Sequence, residues 1–202
     1  LAIGINEFAK KRAGKVMQSC MILPTFISYI AVSFIVYAGL KGDTGLINRL
    51  IVSMGGKSIN FYMEAGKWPL ILVLVNLWKN IGYGSVLYLS VLTGIDQEMY
   101  EAADLDGANA WHKFVYITLP QLKPVLTYII LMCVIGTFQE FDLVYTMTNG
   151  GPGTSTYLTG LTLYKTAFSS LKMGYSCTMA VFIFILSIII SVVQLKLTSD
   201  KD

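Results

Sequence analysis

Four stretches of this chain are too long and too poor in charge to belong to an ordinary water-soluble domain: residues 16–40, 68–95, 122–141 and 173–195. A hydrocarbon core about 30 Å thick is crossed by about 20 helical residues, so each run is long enough to span a bilayer. The first and last contain no charged side chain, and Lys79 is the one charge in the second. The expected fold is therefore all-α, a polytopic transmembrane helical bundle with four spans, and the whole chain, 1–202, forms one transmembrane domain. A composition of 54% hydrophobic and 13% charged residues agrees. The net charge of +3 is small and scattered, with no basic stripe carrying interleaved aromatics, which argues against nucleic acid as a partner. Cys20, Cys133 and Cys177 fall inside apolar runs without metal-ligand spacing and read as small hydrophobes.

Pro24 should either bend the first span or mark a short interfacial helix leading into it. Residues 41–67 read as a glycine-rich loop outside the membrane, with one short helix at Leu46 to Met54. Trp68 is placed as an interfacial anchor for the second span. Asn76, Lys79 and Tyr83 share one helical face, with Asn80 beside them. A charge at membrane depth costs about 2.5–3.5 kcal/mol on insertion scales, so this face should turn to protein or water. Two readings stand: Asn76, Lys79, Asn80 and Tyr83 line a translocation path, or Lys79 snorkels or pairs within the bundle. Tyr83, Tyr88, Trp78 and Tyr128 offer flat ring faces within the spans, or simply pack. Pro124 sits well near the start of the third span. The segment from Thr146 to Thr156 carries Asn149, Gly150, Gly151, Pro152 and Gly153, turn chemistry that should form an exposed or cavity-lining loop. Tyr157 to Ser170 suits a short amphipathic helix within the loop 142–172.

Between the second and third spans lies a polar island, Glu101 to Pro120, within the loop 96–121. Asp96 suits an N-cap, with Glu98 and Glu101 near the positive end of the helix dipole. Gly107 is the residue best able to end that helix near Asp106. A second short helix is expected over Ala108 to Tyr116, closed by Pro120. Adjacent alanines beside one glutamate suit a helix that approaches another backbone closely. The alternative is an ordinary amphipathic loop.

The spacing Glu101-Ala102-Ala103, then Gly107, Ile117, Leu119 and Pro120, resembles the EAA loop of membrane permease subunits of bacterial ABC importers. That resemblance implies a type I importer permease fold and a cytoplasmic loop that seats its helix in a cleft of the ATPase subunit. Glu101, Ala102, Ala103, Gly107, Ile117, Leu119 and Pro120 would then be the ATPase-coupling residues. Lys10, Lys11, Arg12 and Lys15 before the first span agree with a cytoplasmic start, although the overall loop-charge bias is weak.

Phe141-Asp142, the Asn149 to Gly153 run, Ala167-Phe168 and Gly174-Tyr175 are similar to the carbohydrate branch of these permeases, as are Met21 to Pro24 and Leu70 to Gly84. The resemblance puts the Asn149 to Gly153 loop on the external side, near a docked sugar-binding protein; a plain surface turn is the other reading. Family members usually have about six spans, so the resemblance implies a pair of spans before Leu1. No phosphate-binding loop is present: Gly55-Gly56-Lys57-Ser58 superficially suggests one, but Ile51 stands where its first glycine belongs. The chain should therefore be no enzyme and hold no cofactor, ATP being bound by a separate ATPase subunit. The other implied partners are a second homologous permease, an extracytoplasmic solute-binding protein, membrane lipid and a sugar or oligosaccharide, at the bacterial cytoplasmic membrane. The nearest alternative is the same machinery importing a polyol or glycerol phosphodiester. An ion-coupled transporter would carry acids within its spans, and a membrane enzyme would need more than the lone His112. A helix-turn-helix DNA reader does not fit between spans.

Overall fold

The computed structural model describes residues 12–199, with side chains from 16 to 196. The Lys10, Lys11, Arg12 and Lys15 side chains and the end of the polar tail thus lie outside the described residues. Every regular element among them is helical. In chain order these are α1 (Arg12–Phe26), α2 (Tyr29–Leu40), α3 (Leu46–Ser53), α4 (Trp68–Gly94) and α5 (Gln97–Leu105). They are followed by α6 (Ala110–Lys113), α7 (Leu119–Gln139), α8 (Asp142–Met147), α9 (Thr159–Tyr164) and α10 (Met173–Ser199). Two wider π turns lie at Phe114–Thr118 and Lys165–Ser169.

Among the described residues, three helical stretches are long and apolar enough to cross a membrane: Ala65–Gly94, Ala110–Gln139 and Met173–Lys196. Two of them follow the expected second and fourth spans closely. The 16–40 run meets the same criterion only as a pair, because α1 and α2 are separate helices. Pro24, in the last turn of α1, has no N–H to give and disfavours continuation. Ser28 is extended, and its hydroxyl accepts from Ala31 N at 3.2 Å, so it starts a new helix rather than prolonging the old one.

Pro120 does not close the polar island as its chemistry suggests. The π turn Phe114–Thr118 joins α6 to α7, with Leu119 N bonding to Phe114 O, and the helix runs on through Pro120. The wider turn re-routes the backbone bonds just before the proline, so the third span reaches back to Ala110. At its other end it stops at Gln139, two residues short of the expected Phe141, and the Glu140 carboxylate accepts from Leu143 N at 3.4 Å at the start of α8.

The chain divides into two compact units, residues 12–26 with 78–133 and residues 27–77 with 134–199. In the first, Leu92, Ile95 and Leu122 form a buried cluster against which Tyr88, Tyr100, Ile117 and Val125 pack. In the second, Val32, Leu40, Leu72, Leu143, Val144 and Leu161 surround Trp68. Trp68 is 0% exposed, with Tyr62 edge-on at 4.9 Å. The expected interfacial anchor is thus a core residue: α2, α4, α8 and α9 all contribute apolar side chains to its cluster, so burial of its large ring outweighs a place at the interface.

Candidate functional site

The polar island folds as helix, glycine turn, helix. Asp96 Oδ1 accepts from Glu98 N at 3.0 Å and opens α5. At the other end Gly107 adopts φ +76°, its N–H donates to Asp104 O at 3.1 Å, and Ala108 N donates to Ala103 O at 2.9 Å. This pair of reversed bonds closes the helix in the Schellman manner and needs a left-handed residue at Gly107. Asn109 Oδ1 then accepts from His112 N at 2.9 Å, so α6 begins with its own cap.

Side-chain contacts fix the angle of the turn. Lys113 Nζ reaches Asp104 Oδ1 at 2.6 Å across it, and Tyr100 OH shares a hydrogen bond with Thr118 Oγ1 at 2.9 Å. Tyr100 and Ile117 press on the Leu92–Ile95–Leu122 cluster, so α5 is seated on its inner face. Glu98, Glu101, Ala102 and Leu105 fall on the opposite face by helical spacing, and all four are exposed. Ala103 is half-buried on the inner side, and Gly107, Leu119 and Pro120 are exposed. Of the seven expected residues, Glu101 and Ala102 face outward, Ala103, Gly107 and Ile117 build the turn beneath them, and Leu119 and Pro120 open α7.

Leu105, 91% exposed, joins the outward face. Its signal was present in the spacing, because it stands one turn after Glu101. Trp111 and Tyr116 are also largely exposed nearby in the chain. An apolar and acidic face on a short, rigidly capped helix is suited to docking against a partner. It offers no nucleophile and base, and among the described residues no three His, Cys, Asp or Glu side chains gather to hold a metal. His112 is exposed and stacks with Tyr116 at 6.2 Å.

The polar face of α4 is divided by burial. Lys79 is 6% exposed, and its Nζ donates to Thr25 O at 2.8 Å and Pro24 O at 3.4 Å. Both carbonyls belong to the last turn of α1. Thr25 Oγ1 returns a bond to Lys79 O at 2.9 Å. One turn further along, Gly82 is buried so close to Met21 O that no Cβ fits between them. Asn76 is half-buried, whereas Asn80 and Tyr83 are exposed. Lys79 thus fastens the end of α1, and Asn80 and Tyr83 carry the accessible polarity of this face.

Asn149 to Gly153 forms a folded knot rather than an open turn. Asn149, Gly150 and Gly153 have φ of +51°, +94° and +62°, and the Gly151–Pro152 peptide is cis. Gly150 is buried, and a Cβ there would stand 2.5 Å from Tyr157 Cε2. Thr148 and Thr156 share a hydroxyl hydrogen bond at 2.7 Å, and Thr156 Oγ1 donates to Gly151 O at 3.1 Å. Lys165 Nζ donates to Asn149 O at 2.7 Å and to Tyr157 OH at 3.0 Å, bracing the knot from α9's side. Asn149 and Gly153 remain exposed, while Gly150, Gly151 and Pro152 are buried or half-buried.

A recess of about 380 Å³ lined by Tyr29, Gly136, Gln139, Glu140, Phe141 and Asp142 lies beside the end of α7. Burial, the larger effect, and the charge of Asp142 raise the Glu140 carboxyl above its ordinary value, partly offset by the bond from Leu143 N. The half-burial of Glu140 depends on α8 folding back beside it.

The family model for the binding-protein-dependent transport system inner membrane component matches residues 1–199. Protein LplB of Bacillus subtilis is 36% identical over 151 residues, covering 74% of this chain and 47% of that protein. The lactose transport system permease protein LacF of Rhizobium radiobacter is 31% identical over 207 residues, covering 100% of this chain and 68% of that protein. The chain thus spans about half to two thirds of these relatives' length. A subunit from the crystal structure of a bacterial ABC transporter that imports the acidic polysaccharide alginate superimposes with a TM-score of 0.91. That match, at 23% identity, covers 98% of this chain and 70% of the other and establishes the likeness of fold.

Proposed function

The chain belongs to the inner membrane components of binding-protein-dependent transport systems, and from that premise we propose that it is the permease subunit of an importer for a sugar or oligosaccharide. Cargo arrives on an extracytoplasmic binding protein, crosses the bacterial cytoplasmic membrane between this chain and a second permease, and is driven by ATP hydrolysed on a separate subunit. The observation that carries the reading is the outward face of α5. Glu101, Ala102 and Leu105 are presented on a helix capped at both ends, and the turn after it continues through α6 and the π turn into a span. Movement imposed on α5 by an ATPase subunit therefore passes into the membrane without crossing a flexible linker, biasing the subunit between inward-open and outward-open states.

The sugar assignment is supported by the named substrate of LacF and by the run from Phe141 to Gly153. Asn76, Asn80 and Tyr83 are the cargo-path residues on α4, with Lys79 holding α1 in place beside them. The exposed Asn149 and Gly153 mark the side that receives the binding protein, and the knot beneath them gives that side a fixed shape. The test is uptake and ATP hydrolysis by the complete complex in proteoliposomes, using binding protein loaded with sugars, polyols or glycerol phosphodiesters. Ala102→Trp should abolish uptake while leaving the chain folded, because Ala102 is exposed. Native uptake by Ala102→Trp would remove α5 from the coupling path, and selective uptake of a polyol or phosphodiester would replace the sugar.

A further inference from the structure

Helix α3 turns an apolar face away from its own unit. Leu46, Ile47, Leu50 and Met54 are exposed by 64%, 42%, 61% and 78%, and helical spacing puts them on one side, with Arg49 and Ser53 flanking. Val52 is exposed away from this stripe. A face of this size left in water is unfavourable, so it requires an occupant.

The helix is held firmly in this pose. Asn48, on the opposite side and 0% exposed, donates to Gly42 O and to Ile59 O at 2.7 Å, and its Oδ1 accepts from Ile59 N at 3.0 Å. Gly45 N donates to Lys41 O at 2.6 Å, and a Cβ on Gly45 would stand 2.6 Å from Gly39 O, so the chain turns sharply off the end of α2. Gly55, at φ +85°, ends α3, and Gly56 N bonds back to Ile51 O at 2.8 Å.

We propose that α3 is an interfacial helix, lying along the membrane surface where α2 ends, with its apolar stripe at the headgroup–acyl boundary and Arg49 at the lipid phosphates. Two observations choose lipid over a protein partner. The stripe begins six residues beyond Leu40, and α2 itself carries exposed Phe34, Ile35 and Tyr37, so apolar surface continues from the buried segment onto α3. From Leu46 to Met63 the only charged residues are Arg49 and Lys57, both basic and exposed, which complements anionic headgroups. The inference requires only that the chain spans a membrane and is independent of the cargo.

The experiment uses the complete transport complex in liposomes containing phosphatidylglycerol, with Cys20, Cys133 and Cys177 replaced by alanine and uptake retained as the check on folding. A fluorescent label is placed singly through Leu50→Cys, Ile47→Cys or Val52→Cys. Quenching by lipids brominated high on the acyl chain should be at least roughly twofold stronger at Leu50 and Ile47 than at Val52 on the opposite side, as expected for a face buried about 5–10 Å into the boundary region. Aqueous iodide should give the reverse order. Equal iodide quenching at all three positions would leave α3 in solvent and overturn the proposal. Shielding of Leu50 and Ile47 from both quenchers would also overturn it, assigning the stripe to a second permease or the binding protein.

Discussion

Gly107 allows the docking element to be tested through its backbone alone. Nothing lies within 4 Å of where a Cβ would stand, so a substituted side chain meets no neighbour. What it meets is φ +76°, a left-handed conformation that costs an ordinary L-residue about 1–2 kcal/mol. A penalty of this size lowers the population of the closed turn by about 5–30-fold for Gly107→Ala. Gly107→Asn should lose less, since asparagine tolerates this region, and Gly107→Val more, because branching at Cβ crowds it further. When the turn opens, the bonds from Gly107 N to Asp104 O and Ala108 N to Ala103 O are lost, and α5 no longer has a fixed direction. The assay is sugar accumulated per ATP hydrolysed by the complete complex in proteoliposomes. Coupling should rank glycine, asparagine, alanine, valine, with only a small fall in thermal stability, because opening of the turn relieves the strain locally. Native coupling in Gly107→Val, or equal effects of alanine and asparagine, would refute the reasoning.

Three further perturbations address the contacts around the site. Lys79→Met leaves the carbonyls of Pro24 and Thr25 without their Nζ donor, and an unmade buried bond costs about 1–3 kcal/mol. The purified complex should melt earlier, whereas an unchanged melting temperature would show that α1 needs no such fastening. Gly82→Ala forces a methyl against Met21 O, which belongs to helical backbone and cannot swing aside. Overpacking of this kind costs about 1–3 kcal/mol, read as a fall in detergent melting temperature; native stability would mean that α1 and α4 separate readily there. Glu140, just beyond the third span, has a carboxyl raised mainly by burial above its ordinary 4.5. The native state therefore holds its proton more tightly than the unfolded chain. This contribution is fully present below the ordinary value and is lost as pH rises through the raised one. Glu140→Gln should flatten that decline in a pH series of melting curves, and an unchanged slope would assign it to other groups.

The apolar runs were legible because their length and lack of charge leave few alternatives. The Asp96 and Gly107 ends of α5 were legible because caps are local chemistry. Misreadings arose where a distant contact or an unusual local bond pattern outweighed the nearest residues. Pro120 looked like a stop until the π turn re-routed the bonds that its missing N–H would have broken. Trp68 looked like an interfacial anchor because periodicity cannot show α2, α8 and α9 closing over it. Lys79 stood out correctly as an expensive charge, but its partners lie over fifty positions earlier in the chain, and no spacing rule connects them. The knot at Gly150 was composed of recognisable turn residues. Its burial depends on Tyr157 and Leu161, which the same composition leaves unplaced.

The π turn between α6 and α7 also sets the phase of the docking side. Each helical residue advances the side chains by about 100° around the axis. One surplus residue accommodated in Phe114–Thr118 therefore shifts everything before it by about that angle relative to a regular helix. Stripe patterns counted straight through residues 110–139 join faces that are not aligned. Shortening this turn by one residue would restore an ordinary screw. It would also turn α5 about the span's axis like a key cut one notch out of register.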